Sequence, residues 1–123
     1  MLNKRSRAES GCCESQWEVG DMHYDGHECY PQDYVAAASW FRKASLQGYA
    51  KAHISLGICY RNGEGVLKDE VEAYAYFNIA AITEDDARQL LDEMEEDLPK
   101  AARLAGQARS RKLMKEIESH SEE

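Results

Sequence analysis

The sequence predicts an all-α fold, an α-solenoid of antiparallel helix pairs, with two repeats followed by a C-terminal capping helix pair. The chain matches itself at an offset of 36 residues, where Asp33 and Phe41 align with Asp69 and Phe77. Apolar residues between these anchors recur at the spacing of one helical face. Only two prolines and eight glycines interrupt the 123 residues. A period of this length fits one pair of helices per repeat.

A single domain is predicted over residues 13–118. A flexible segment of residues 1–12 is expected before it, and a frayed tail of residues 119–123 after it. A chain of this length buries roughly two-thirds of the surface that its unfolded form exposes. The domain can therefore fold alone.

The first repeat is predicted over residues 15–49. Its second helix, over residues 33–46, has apolar residues close to i, i+3, i+4, i+7 spacing. Gly20 and Gly26 align with glycines of the second repeat at an offset of 37 rather than 36. This difference places a one-residue insertion in the loop of the first repeat.

The second repeat is predicted over residues 50–82, with helices over 50–60 and 69–82. The apolar residues of the first helix also alternate, which is typical of a strand, but Gly57 and the helical neighbours favour a helix. The loop over residues 61–65 supplies two glycines, for which positive φ costs little.

The capping helix pair is predicted over residues 83–118. Thr83 begins a sequence that resembles a capping box, and Pro99 suits the first turn of the last helix. Residues 84–97 hold eight acids and one base, whereas residues 100–115 hold six bases and no acid. This contrast indicates either a solvated hairpin with surface ion pairs, each worth about 0–1 kcal/mol, or a basic arm that grips an acidic partner.

Composition and charge exclude several functional classes. The formal net charge of −8 disfavours binding to nucleic acid or to an anionic membrane surface. No apolar run is long enough to cross a bilayer or to act as a signal peptide, so we expect a cytoplasmic protein. Reduced thiols are therefore expected at Cys12, Cys13, Cys29 and Cys59.

A series of spaced anchors marks the second repeat. They are Ala52, Leu56, Gly57, Tyr60, Gly63, Gly65, Val66, Asp69, Ala73 and Tyr76. The first repeat carries the matching ending, Trp40-Phe41-Arg42-Lys43-Ala44. Over about residues 15–82 this pattern resembles the Sel-one-like repeat (SLR), a subfamily of the tetratricopeptide repeat (TPR). The resemblance implies a stack of helix pairs that holds other proteins.

Some positions depart from the family pattern. His23 occupies an aromatic position, and His27-Glu28-Cys29 replaces glycine-bearing loop residues, so the first loop is expected to be remodelled. Asp92 replaces the packing glycine in the third unit, as befits a capping pair. Gly20 and Gly57 are expected to let the partner helix approach closely.

The resemblance implies that the first helix of each pair lines the concave side of the stack. The candidate partner-binding residues are then Trp17, Asp21 and Tyr24 in repeat one, Lys51, Ile54, Ile58 and Arg61 in repeat two, and Gln89, Glu93 and Glu96 in the capping pair. Such a mixture of side chains suits a docked peptide or helix. For Trp17 and Ile54 the competing interpretation is burial between repeats. We predict an adaptor or scaffold whose partner is an unidentified protein or peptide.

Two further hypotheses remain open. The first is a metal- or redox-responsive regulator that uses the histidines and cysteines of the first repeat and its surroundings. Its residues are His23, His27, Cys29, His53, Cys59, Cys12 and Cys13. Zinc accepts such ligands, but the sequence has no C-x-x-C pair, and we expect no metal or cofactor. The second is self-association into a homo-oligomer, because two repeats leave an end face exposed.

Catalysis is not expected. The sequence lacks the nucleophile elbow, the phosphate-binding loop, the dinucleotide fingerprint and the zinc-protease helix. Cys59 stands within an apolar helical series, which is the setting of an inert buried thiol. We therefore predict that the chain is not an enzyme.

Overall fold

The computed structural model describes residues 4–121 and contains seven helices in that range. They are α1 (Lys4–Glu9), α2 (Cys13–Asp25), α3 (Tyr34–Leu46), α4 (Ala50–Asn62), α5 (Glu70–Ala80), α6 (Asp85–Asp97) and α7 (Lys100–Ser121). Helices α2 and α3 form the first packed pair, α4 and α5 form the second, and α3 and α5 each also pack against the helix that follows. The predicted all-α architecture of stacked helix pairs is confirmed.

The N-terminal segment was expected to be flexible over residues 1–12, of which residues 1–3 lie outside the part of the chain that the structure describes. Residues Lys4–Glu9 form α1, which packs against α2 and buries Ala8. The side-chain amide of Gln16 donates to the Ala8 carbonyl oxygen at 3.2 Å, and Gln16 is itself buried. A helix of six residues has too few turns to show a periodic pattern, so only its contacts with α2 reveal it.

Glycine allows close approach within both repeats, as expected. A β-carbon on Gly20 would lie 2.7 Å from Cδ1 of Phe41, and one on Gly57 would lie 2.7 Å from Cδ1 of Phe77. Real β-carbons do not come this near to a neighbouring ring. The two repeats therefore use the same packing of an aromatic ring against a glycine of the paired helix.

The two repeats also begin their second helices in the same way. The side chains of Asp33 and Asp69 cap α3 and α5 by accepting backbone N–H bonds. The Asp33 N–H donates to the carbonyl of His23, and the Asp69 N–H donates to the carbonyl of Tyr60. The loop between His23 and Asp33 is remodelled, with an isolated antiparallel bridge between His27 and Tyr30.

The start of α6 differs from the expected capping box at Thr83. The N-cap residue is Glu84, and no side-chain hydrogen bond caps the helix. Backbone hydrogen bonds stabilise the turn between α5 and α6 instead, because the N–H groups of Thr83 and Glu84 both donate to the carbonyl of Ala80. The turn that ends α5 thus shifts the beginning of α6 by one residue.

The last helix packs mainly on α5 and extends to α3. Arg109 on α7 donates to Glu72 of α5 at 2.5 Å and also pairs with Glu116 of its own helix at 3.5 Å. Leu113 is buried in the cluster that contains residues of α3 and α5. The helix continues through Ser121, and the last two residues of the tail expected to fray over 119–123 lie outside the described range. These contacts bury α5 on several sides and anchor α7, the helix rich in basic residues, to α5.

Within residues 4–121, none of the helices has the length and apolarity that a membrane span requires.

Candidate functional site

A small cleft opens between the first helices of the two repeats. Its volume is about 100 Å³, and its walls are Asp21 and Tyr24 of α2, Phe41 of α3, and Ser55 and Ile58 of α4. Three of these residues were predicted as partner-binding positions. Phe41 and Ser55 were not, because Phe41 belongs to the second helix of its pair and the position of Ser55 depends on how α4 packs beside α2. We call this space the α2–α4 cleft.

Trp17 joins the two helices beside this cleft. Its Nε1 donates to the Ser55 hydroxyl at 2.9 Å, and its ring lies 6.2 Å from that of Tyr49. The ammonium of Lys51 stands 5.4 Å from the Trp17 ring centroid, within the range of a cation–π contact. Trp17 is partly buried against the core, so it contributes to the contact between repeats as well as to the surface.

Tyr24 forms the end of the cleft nearest the second loop. Its hydroxyl donates to Oε1 of Glu64 at 2.5 Å, and Glu64 also accepts from the side-chain amide of Asn62 at 3.1 Å. The Tyr24 ring lies 5.1 Å from that of Tyr34 and 6.4 Å from that of Phe41. Burial and the bond to Glu64 raise the pKa of Tyr24 above its ordinary value. The phenol therefore stays a neutral donor that fixes the loop of repeat two to α2.

Asp21 places a carboxylate on the wall of the cleft. The residue as a whole is exposed, yet partial desolvation raises the pKa of its carboxyl, and the negative charge of Asp25 raises it further. No salt bridge to Asp21 is found among residues 4–121, and the charged group that perturbs it is another acid. The cleft thus carries a negative charge without a neutralising cation in the described part of the chain.

The second-repeat positions divide between surface and core. Ile54 and Ile58 are partly buried and pack against the cluster that contains Phe77 of α5 and Leu91 and Met94 of α6. Lys51 is exposed. The guanidinium of Arg61 lies 5.9 Å from the ring centroid of Phe77 and donates to Asn62 at 3.4 Å. Arg61 and Lys51 are therefore both engaged with aromatic rings of this chain.

The capping-helix positions Gln89, Glu93 and Glu96 are exposed on α6. Helical spacing puts them opposite the buried residues Ala87 and Leu91, which pack toward the rest of the fold. They are not among the residues that line the α2–α4 cleft. We use the term first-helix face for the exposed surface of α2, α4 and α6, of which these residues form the acidic end.

The histidines do not form a metal site in the structure. His23 Nδ1 lies 3.2 Å from the carbonyl oxygen of Pro31, and His53 Nδ1 shares a 2.7 Å hydrogen bond with the Ser45 hydroxyl. Burial lowers the pKa of His53 to about 4. No group of three or more His, Cys, Asp or Glu residues that could hold a metal ion occurs within residues 4–121. The geometry therefore does not support the metal-responsive hypothesis.

The cysteines are four free thiols in different settings. Cys12 and Cys29 are exposed, Cys13 is intermediate and Cys59 is buried. Burial raises the pKa of the Cys59 thiol to about 12, as befits an inert core residue. No shared site joins this thiol to the histidines.

Comparison with known proteins identifies the repeat type. The family model described as Sel1 repeat matches residues 13–49 and 50–82. Among solved structures, a protective antigen of uropathogenic Escherichia coli strains, which displays an SLR fold, superposes with a TM-score of 0.86 at 27% identity over 93% of this chain and 25% of the antigen. A Sel1 repeat protein from Oxalobacter formigenes superposes with a TM-score of 0.70 at 31% identity over 73% of this chain and 68% of that protein.

Two curated relatives match a shorter stretch. They are the proteins named DAP3-binding cell death enhancer 1 of Rattus norvegicus and of Mus musculus, each 46% identical over 37 residues. The match covers 30% of this chain and 7% of each relative. The chain therefore spans a small part of the length of the curated relatives that it matches.

Proposed function

This chain belongs to the Sel1 repeat family, and from that premise we propose that it is an adaptor or scaffold that binds a partner protein or peptide on its first-helix face. Sel1 repeats are a non-catalytic repeat type that generally mediates protein–protein interaction. The chain would thus act by bringing a partner into place. A cytoplasmic location is part of the same proposal and is testable by cell fractionation.

The observation that carries the proposal is the composition of the first-helix face. It combines an open cleft of about 100 Å³ with the Trp17 ring, whose centroid lies 5.4 Å from the ammonium of Lys51. Exposed charged residues of the same helices complete this surface. Aromatic and charged anchors around a small pocket are typical of the residues that dominate binding energy at protein interfaces. The predicted residues Trp17, Asp21, Tyr24 and Lys51 contribute to this surface.

The opposite side of the fold supports the same choice of face. Helix α7 covers part of α3 and α5, the second helices of the two repeats. Leu113 and Ile117 of α7 pack there against the core. The second helices are therefore less available to a partner than the first helices are.

The names of two relatives agree with a protein partner. The rat and mouse proteins are each named as binding DAP3, and each shares 46% identity with this chain over 37 residues. Because this chain corresponds to only 7% of each relative, the identity of the partner does not transfer. The likeness supports the class of partner alone.

Site-specific photo-crosslinking in an extract of the organism that makes the chain would test the proposal. A benzophenone amino acid placed at Lys51, exposed on α4, should crosslink a discrete protein that mass spectrometry identifies. The same amino acid at Lys115, exposed on α7, is the matched control and should capture that protein at a much lower yield. Equal capture from both positions, or capture from Lys115 alone, would refute binding on the first-helix face.

A further inference from the structure

The α2–α4 cleft has the shape and chemistry of a pocket for one basic side chain. We propose that it binds a lysine or arginine side chain of the partner, whose aliphatic part lies along Phe41, Tyr24 and Ile58 and whose cation pairs with Asp21. This inference rests on the proposed function, because it names the chemistry by which the first-helix face would recognise its partner.

The dimensions of the cleft favour a narrow side chain. Its volume of about 100 Å³ exceeds the roughly 10–15 Å³ that one water molecule needs by the same measure. It is smaller than the engineered cavities of about 150 Å³ that accept a benzene ring. The cleft is therefore large enough for an unbranched methylene chain but smaller than the cavities that hold an aromatic ring.

The walls suit both parts of a basic side chain. Lysine and arginine bury their methylene groups along apolar surface and keep the charged group at a polar edge. Phe41 and Tyr24 present aromatic rings whose centroids lie 6.4 Å apart, and Ile58 adds an aliphatic surface. Aromatic faces also attract a cation within about 6 Å of the ring centroid.

The carboxylate of Asp21 supplies the charge that selects a cation. Asp25 is its charged neighbour, and the burial that raises the Asp21 pKa shows that the carboxylate is already partly removed from water. Glu64, which accepts from the Tyr24 hydroxyl, adds a second negative charge near the cleft. An incoming cation therefore meets a negative field, and no ion pair of Asp21 within residues 4–121 has to be broken first.

Lys51 and Arg61, the basic residues that α4 contributes to the same face, are engaged elsewhere. Lys51 lies beside the Trp17 ring, and Arg61 lies beside the Phe77 ring. Neither residue lines the cleft. Neither of these two cations thus competes for the Asp21 carboxylate, which leaves it to a cation of the partner.

Selection from a library of random dodecapeptides displayed on phage, with the full chain as target, would test this proposal without a known partner. The selected peptides should share a lysine or arginine at one position. The tightest of them is then synthesised with that residue and with norleucine, which keeps the methylene chain and lacks the charge. Affinities of both peptides are measured by fluorescence anisotropy.

The expected result is a charge-specific loss. Asp21→Asn should lower the affinity for the basic peptide by about tenfold and should change the affinity for the norleucine peptide by less than about twofold. Glu70→Gln, an equal change of charge at an exposed position of α5 and outside the first-helix face, should leave both affinities unchanged. Selection against Asp21→Lys should yield peptides with an acidic residue at the shared position.

Three results would overturn the inference. They are the selection of no peptide or of peptides without a shared basic residue, equal binding of the basic and norleucine peptides, and an Asp21→Asn variant that binds like the parent. If any of these results is obtained while the crosslink from Lys51 is retained, the pocket for a basic side chain is refuted but binding on the first-helix face still stands. If no protein is crosslinked from Lys51, the proposed function itself is refuted, whatever the peptides show.

Discussion

The ring of Phe77 fills the space beside Gly57 that a side chain would occupy, so that a β-carbon on Gly57 would lie 2.7 Å from Phe77 Cδ1. Both residues are fully buried between α4 and α5. The same relationship joins Gly20 to Phe41 in the first repeat, with the ring again 2.7 Å from the added atom. Each repeat therefore depends on the absence of one side chain.

Gly57→Ala should destabilise the fold although alanine is the better helix former. Helix propensity favours alanine by about 1 kcal/mol, whereas overpacking in a close-packed core costs about 1–3 kcal/mol. The free energy of unfolding, measured by urea titration, should therefore fall. Lys112→Ala, exposed on α7, is the control and should change stability by less than about 0.5 kcal/mol. A more stable Gly57→Ala variant would contradict the packing described here.

Trp17→Phe should retain the aromatic contact between repeats and lose the hydrogen bond from Nε1 to Ser55. We expect a loss of about 1 kcal/mol in the free energy of unfolding, typical of one hydrogen bond. Ser55→Ala should cost a similar amount, and the double variant should cost less than the sum of the two. Strict additivity in this double-mutant cycle would mean that the bond contributes nothing.

Trp17→Ala is a poor probe of partner binding for the same reason. It removes a ring that packs against the core together with the hydrogen bond, so its effect on binding mixes with an effect on stability. Asp21→Asn, at an exposed residue, separates the two effects. Circular dichroism and urea titration should give the same curves for this variant as for the parent.

His53 should make the fold less stable in acid. Its pKa is lowered from 6.5 to about 4 by burial, so the unfolded chain takes up the proton before the folded chain does. The contribution of His53 to stability is therefore complete above about pH 6.5 and is lost as the pH falls toward 4. Urea titrations between these pH values should show this decrease on top of the titration of carboxylates.

His53→Gln should flatten that decrease, because glutamine does not titrate. His27→Gln, at an exposed position of the first loop, is the matched control and should keep the full pH dependence of the parent. Parallel curves for the parent and His53→Gln would show that His53 is not the titrating group.

The ion pair between Glu72 and Arg109 should anchor α7. The side chains of Glu72 and Arg109 are 16% and 32% exposed, whereas both members of the Arg88–Asp92 pair are 59% exposed. Glu72→Gln should lower the free energy of unfolding by about 2 kcal/mol, because hydrogen bonds to charged groups are strong and Arg109 would keep only its longer contact with Glu116. Asp92→Asn should cost less than about 1 kcal/mol.

Hydrogen exchange gives the readout that is specific to α7. Amides of α7 should exchange faster in Glu72→Gln, while those of α2 keep their protection. Equal effects of Glu72→Gln and Asp92→Asn on exchange would indicate that the first pair contributes no more than a surface contact.

Local sequence was enough to predict the helix pairs and to single out three of the residues that line the α2–α4 cleft. Phe41 and Phe77 occupy equivalent positions in the two repeats, and each has a glycine on the paired helix. These matches predicted the repeat and the close approach of the paired helices, which the structure confirms. The positions of Asp21 and Tyr24 on α2 follow from helical spacing, which fixes the direction of each side chain from the residue number alone. The direction of each side chain depends on neighbours within about one turn of helix, whereas the repeat is visible when segments 36 residues apart are compared.

Contacts between distant residues decided the rest. The helix Lys4–Glu9 is held by the buried contact of Ala8 with α2, and α7 lies on α5 because Arg109 meets Glu72 and Leu113 reaches the core. Phe41 and Ser55 complete the α2–α4 cleft although they are far from Asp21 in the chain. Sequence periodicity specifies which face of a helix is apolar, whereas packing free energy, summed over several elements, selects the partner of that face. Only the tertiary structure could therefore join these walls into one pocket.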